Sequence, residues 1–141
     1  SNALAKKCES IISEKGWGPW AVELKSSGEF IGYVGLNIPR SNLPFSPCVE
    51  IVWRLHKNFW GNGYASEAAS KCLTYAFNTL NLSEVVSFTT VTNSRSISVM
   101  ERLGFINTNQ NFEHPELPKG HLLSEHVLYK IIKEMWKEKN L

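Results

Sequence analysis

Between Asn58 and Ala68 the chain reads Asn-Phe-Trp-Gly-Asn-Gly-Tyr-Ala-Ser-Glu-Ala. Two glycines one residue apart, Gly61 and Gly63, sit where a strand-like run (residues 49–56) gives way to a helix-like run (residues 62–80). Glycine lets main-chain N–H groups approach a ligand with no Cβ in the way. The first turn of a helix leaves its N–H groups unpaired and carries a partial positive charge. A glycine turn feeding a helix therefore makes a cradle for an anion, most often a phosphate. The spacing excludes a P-loop, which needs four residues between glycines and a following Gly-Lys-Ser/Thr. It also excludes the dinucleotide fingerprint, whose third glycine is replaced by Ser66.

Two more side chains have chemical potential. Glu50 lies mid-strand among apolar neighbours, on the face opposite Ile51 and Trp53. A carboxylate there is costly unless it is paired or faces a wet cleft. Desolvation would raise its pKa toward that of a useful base; the alternative is an ion pair with Arg54 or Arg95. Ser96 opens a second helix behind Asn93-Ser94-Arg95, where its hydroxyl either joins the chemistry or bonds the first turn. Asn93 reads as the cap of that helix. The four histidines, His56, His114, His121 and His126, show no metal spacing. His126 reads as structural, while His114 and His121 flank a proline-containing loop that could border an acceptor site. Nothing around Cys48 suggests a lowered pKa, and there is no Gly-x-Ser-x-Gly elbow.

The elements that hold these groups follow from periodicity. Residues 4–15 predict a helix ended by Gly16. Residues 20–25 and 30–38 predict a hairpin about Ser26-Ser27-Gly28-Glu29, and residues 39–47, with three prolines, a loop. Ala65, Ala68, Ala69, Cys72, Leu73, Ala76, Phe77 and Leu80 mark one buried helical stripe. A β-rich run over residues 84–91 follows, so strand, glycine turn, helix and strand form a βαβ unit with near-parallel strands. Residues 93–103 predict a helix facing Ile97, Met100 and Leu103 inward, ended by Gly104. A strand begins at Phe105, residues 107–120 form a polar loop, and residues 122–132 form a last strand. Lys130 to Lys139 reads as a solvated helical end.

The chain has 141 residues, 43% hydrophobic and 20% charged. Ser1-Asn2-Ala3 looks like an expression scar; residues 4–141 read as one domain. A net charge of +2 with scattered basic residues gives no footprint for nucleic acid. The apolar runs are too short to span a bilayer. Three cysteines without metal spacing fit free thiols in a reducing cytoplasm.

The segment Trp60-Gly-Asn-Gly-Tyr-Ala-Ser-Glu-Ala68 resembles the pyrophosphate loop of the GCN5-related N-acetyltransferases (the GNAT family), in the branch that acetylates N-termini of ribosomal proteins. Asn93-Ser-Arg-Ser-Ile-Ser-Val-Met-Glu-Arg-Leu-Gly-Phe105 is similar to the family's Asn-x-x-Ser…Gly-Phe segment, and Phe30 to Leu36 and Val49 to Trp53 resemble its central strands. Asn58 departs from the pattern, standing where the family carries Arg or Gln.

The resemblance implies a mixed α/β fold with a twisted, mostly antiparallel sheet, splayed at the cofactor strand, and helices on both faces. It implies acetyl-CoA as cosubstrate, no metal, and direct transfer to a primary amine on a protein, a peptide or a small molecule. Gly61, Asn62, Gly63, Tyr64 and Ala65 would hold the pyrophosphate, with a weaker side-chain donor at Asn58. The peptide groups of Trp53 and Leu55 would pair with the pantetheine arm, which Asn93 also contacts. Glu50 would serve as base and Ser96 as proton donor to the thiolate. The family's opening strand and short helices, about forty residues by usual domain length, have no counterpart before Leu4. An uncovered edge there invites association, so a homo-oligomer is expected. The same features admit a second reading, an acyl-CoA-binding module without turnover.

Overall fold

A computed structural model of the chain describes residues 13–141. The helix expected over residues 4–15 lies mostly outside the described residues; residues 13–15 are helical, and Gly16 follows with φ 80. Among the described residues seven strands form one sheet: β1 (Pro19–Glu23), β2 (Phe30–Asn37), β3 (Glu50–Leu55), β4 (Glu84–Thr90), β5 (Ile106–Asn107), β6 (Phe112–Glu113) and β7 (Glu125–Ile132). Their order is β1-β2-β3-β4-β7-β5, with β6 also on β7. Every pairing is antiparallel except β3 with β4, the pair joined through a helix.

That parallel pair touches at a single register position, Glu50 opposite Val86, where the Val86 N–H donates to the Val49 carbonyl at 3.0 Å. Beyond it the strands part, and the sheet opens as a wedge. Successive residues of a strand turn their main-chain groups to alternate sides. The His56 N–H donates to Ile31 of β2 at 2.8 Å, so even-numbered residues of β3 serve β2. Odd-numbered residues serve β4, and past Ile51 they find no strand there. Trp53 and Leu55 thus aim their N–H and C=O groups into the wedge.

Beyond residues 13–15, the described residues form three α-helices: α1 (Tyr64–Thr74), α2 (Ser94–Leu103) and α3 (Lys133–Lys139). The stripe expected over residues 62–80 begins at Tyr64 and widens into a π turn over Tyr75–Thr79, where the Leu80 N–H reaches back to the Tyr75 carbonyl at 3.0 Å. Ala69, Cys72 and Leu73 of α1, Met100 and Leu103 of α2, and Trp136 of α3 join Val34, Leu36 and Ile51 in the main core. The lysine-rich tail is therefore anchored: Trp136 is buried and packs on Phe77 at 5.2 Å between ring centroids. On the other face Leu43, Val86, Phe112 and Leu128 form a smaller core with Phe45, Cys48 and Phe88 against it. Phe112 explains why a short strand interrupts the expected polar loop: its ring has an apolar slot to fill. The last strand begins at Glu125, and Leu122 and Leu123 before it stay exposed. Among the described residues no helix is long and apolar enough to cross a membrane.

Candidate active site

The start of α1 is built to receive an anion. Gly63 occupies the cap position at φ 78, ψ 6, and Gly61 has φ 81. That left-handed conformation costs other residues roughly 1–2 kcal/mol. No side chain caps the helix, and its first internal bond runs from the Glu67 N–H to the Gly63 carbonyl at 3.0 Å. The N–H groups of Tyr64, Ala65 and Ser66 precede that bond and have no partner within the helix. They border an open groove of about 740 Å³, whose other wall is the start of α2.

Gly61, Gly63, Tyr64 and Ala65 line this groove, as do Trp53, Leu55, Asn93 and Ser96. Asn58 and Asn62 are not among its lining residues. Asn58 sits exposed in the 3-10 turn Lys57–Phe59. The Asn62 amide donates to the carbonyls of Phe59 (3.2 Å) and Trp60 (3.3 Å), which ties the loop to itself.

The groove also holds residues that the sequence reading did not single out. Trp60 donates its indole N–H to the Leu55 carbonyl at 3.0 Å. The Arg95 guanidinium lies 4.1 Å from the centre of the Trp60 ring, a cation–π contact between the two walls. Arg102 donates to the Ser66 hydroxyl at 3.4 Å. Arg54, Arg95 and Arg102 all line the groove, and no Asp or Glu does. Their positive charge offsets its lack at Asn58. Arg95 and Arg102 are seven residues apart on a helix, two turns on one face, so that signal was present in the sequence.

Ser96 is held from two sides. Its N–H donates to Asn93 Oδ1 at 3.1 Å, the expected cap, and its hydroxyl oxygen accepts from Trp53 Nε1 at 3.2 Å. Because Trp53 takes an oxygen lone pair, the hydroxyl proton stays available to a third group. Asn93 also donates to Thr89 Oγ1 at 3.1 Å, fixing the start of α2 to β4.

Glu50 lies at the closed end of the wedge. Trp53 points toward Ser96 on the helix-covered face, and Glu50 points the other way, toward the smaller core. Its side chain is 8% exposed and accepts from Asn37 Nδ2 at 3.0 Å. Burial pushes its pKa from 4.5 up to about 7, against the pull of the Asn37 bond. No ion pair with Arg54 or Arg95 exists among the described residues; the surface pair Lys130–Glu84, at 3.5 Å, is separate. Asn37, the register partner of Glu50 across β2, takes the place expected of an arginine.

The remaining candidates have quieter places. Burial, reinforced by Glu50 and Glu84, pushes the Cys48 thiol up to about 11, which removes it as a nucleophile at neutral pH. His114 Nδ1 accepts from the Glu116 N–H (3.2 Å) and His121 Nδ1 from the Leu123 N–H (3.0 Å), so each pins a turn. The His126 ring lies 5.5 Å from Phe112 and 5.1 Å from His114, and burial lowers its pKa. Among the described residues no group of three or more His, Cys, Asp or Glu is placed to hold a metal.

Comparison with known proteins agrees with this architecture. Residues 2–106 match the family model described as an acetyltransferase (GNAT) domain. FsC-acetyl coenzyme A-N(2)-transacetylase of Aspergillus fumigatus is 33% identical over 128 residues, covering 88% of this chain and 54% of that protein. The crystal structure of an acetyltransferase from Agrobacterium tumefaciens is 31% identical with a TM-score of 0.66, covering 88% of this chain and 66% of that one. A ribosomal-protein-S5-alanine acetyltransferase from Vibrio fischeri superposes with a TM-score of 0.71 over 91% of this chain and 68% of its own; at 21% identity the likeness concerns the fold. The chain spans about half the length of the curated relatives it matches. With a matching family model over most of its length, a splayed sheet and a glycine-capped helix, the chain belongs to the GNAT acetyltransferase family.

Proposed function

We propose that the chain carries an acetyl-CoA-dependent N-acetyltransferase activity that moves the acetyl group directly to a primary amine. One observation carries this reading: the wedge between β3 and β4 joins an uncapped helix end to a buried carboxylate, with main-chain pairing groups between them. The diphosphate rests on the N–H groups of Gly63, Tyr64 and Ala65. The amides of the pantetheine arm pair with Trp53 and Leu55, as an added strand would. The thioester then reaches the closed end of the wedge, where one of these N–H groups polarises its carbonyl.

The amine must arrive with a lone pair, so its ammonium form gives a proton to Glu50, directly or through water. The nitrogen attacks the thioester carbon and releases its second proton to solvent, the C–S bond breaks, and the thiolate takes the Ser96 hydroxyl proton, which solvent restores. Glu50 at about 7 is mismatched by roughly one unit to an α-amine near 8 and by more than three to an alkylamine near 10.4. Each unit costs about 1.4 kcal/mol of proton transfer. That difference favours an α-amine of a peptide, protein or amino compound over a polyamine.

An acceptor panel tests this: peptides with free N-termini, amino compounds and polyamines, each with acetyl-CoA, read by release of the CoA thiol. Release is expected with the α-amine set, fastest above pH 7. Tight CoA binding with no release on any acceptor would replace the enzyme with an acyl-CoA-binding module.

A further inference from the structure

A second cavity, of about 280 Å³, opens beside the groove and is bounded by α1, α2 and α3. The two share Ser66 and Arg102 as lining residues. Ser66 supplies the third uncapped N–H of α1, and Arg102 is bonded to its hydroxyl, so the anion cradle and the second cavity meet at this pair. Beyond it, the charged groups facing the second cavity are Arg102 and Lys139, opposed by Glu67 alone. The Lys139 stem crosses directly over Gly104, where an added Cβ would come within 2.8 Å of its Cδ. A helix end thus leads past one arginine to a cavity with a second cation.

We infer that Arg102, helped by Lys139, forms a subsite for a nucleoside 3′-phosphate, so that the chain distinguishes CoA from its 3′-dephospho form. The inference rests on the proposed donor site. A diphosphate seated on the first turn of α1 directs one end of its ligand into the wedge and the other past Ser66, toward Arg102 and Lys139. Arginine offers paired N–H donors to phosphate oxygens, and such charge-assisted bonds are about twice as strong as neutral ones.

Calorimetry with CoA and 3′-dephospho-CoA, on the wild type, Arg102→Gln and Lys139→Gln, tests the subsite. Wild type should prefer CoA about tenfold, as one good charge-assisted contact implies. Arg102→Gln should weaken CoA and leave 3′-dephospho-CoA nearly unchanged, collapsing the preference; Lys139→Gln should reduce it in part. Arg102 is exposed, so the variant is expected to fold, and its thermal unfolding checks that. Equal wild-type affinity for the two ligands overturns the subsite while leaving the donor site standing. Equal weakening of both ligands by Arg102→Gln also overturns it, because the arginine would then serve the diphosphate. Failure of wild type to bind either ligand removes the donor site itself.

Discussion

The two faces of the wedge are built from different materials. On the helix-covered face the groups that would hold the donor's diphosphate and arm are main chain: the N–H groups after Gly63 and the peptide groups of Trp53 and Leu55. On the opposite face, Glu50 accepts from Asn37 and lies in register with Val86 of the smaller core, which Phe45, Phe88 and Phe112 complete from a loop and separate strands. A main-chain site depends on conformation, so few substitutions harm it and those do so severely. A side-chain site depends on identity and burial, and its properties can be moved by one atom. Substitutions on the two faces should therefore fail in different ways.

Gly63→Val should have the largest effect. An added Cβ meets no protein atom within 4 Å, so the penalty is conformational: valine resists φ 78. Moving the cap misdirects at least two N–H donors, each worth about 1.5–3 kcal/mol toward a charged group. CoA affinity should fall on the order of a thousandfold, and the strained cap should lower stability by about 1–2 kcal/mol; calorimetry that finds the affinity unaltered would separate the glycine loop from phosphate binding.

Glu50→Gln should act on rate and leave affinity alone. Loss of a general base costs on the order of a hundredfold. In the wild type kcat/KM should rise with pH through about 7, as Glu50 ionises; the variant should lose that limb. Stability carries the opposite sign. The folded pKa is above the ordinary value, so the native state holds the proton more tightly, and stability falls as pH rises from 4.5 through about 7. The shift is worth roughly 3 kcal/mol at full extent. Glu50→Gln should therefore unfold at a higher temperature than wild type at pH 8, with the gap closing near pH 4. A variant no more stable than wild type at pH 8 would mean that the carboxylate is not held against its burial cost.

The same division explains what was legible in the sequence. Gly61 and Gly63 advertise their conformation, because few other residues accept a positive φ, and the alanine stripe advertises α1. Asn93 was readable as a cap because a cap needs only its own helix. Asn37 was not, since its meaning depends on the β2–β3 register that sets it opposite Glu50. Nor was the bond from Trp60 to Leu55, which needs the loop to fold back on the strand. The single contact between β3 and β4 was readable only through the family resemblance, since periodicity predicts strands and not where they part. Phe112 was lost inside a polar loop because a two-residue strand leaves no period to read.

Ser96→Ala should be milder than either change above. A thiol is more acidic than an alkylammonium, so a thiolate leaves well without a proton. The rate should fall about tenfold at pH 7, below the usual range for general acids, and recover part of the loss as pH rises. CoA affinity should hold, because the main-chain cap of α2 does not use the hydroxyl. A rate equal to wild type at pH 7 would leave Ser96 with only its bond to Trp53.

Trp60→Phe should give the smallest effect, and in the opposite direction. The Trp60 indole occupies the Leu55 carbonyl, an acceptor that a bound pantetheine amide would use. Two donors compete for one oxygen, and the internal one must yield or share. Phenylalanine keeps a ring for Arg95 to cover but removes the N–H. A typical net hydrogen bond is worth about 1 kcal/mol, and part of that is returned by a looser loop, so CoA should bind about threefold more tightly. Tryptophan at 41% exposure has room to move, which keeps the change local. Calorimetry at matched ionic strength measures it, and weaker binding would show that the indole supports the loop more than it obstructs the arm.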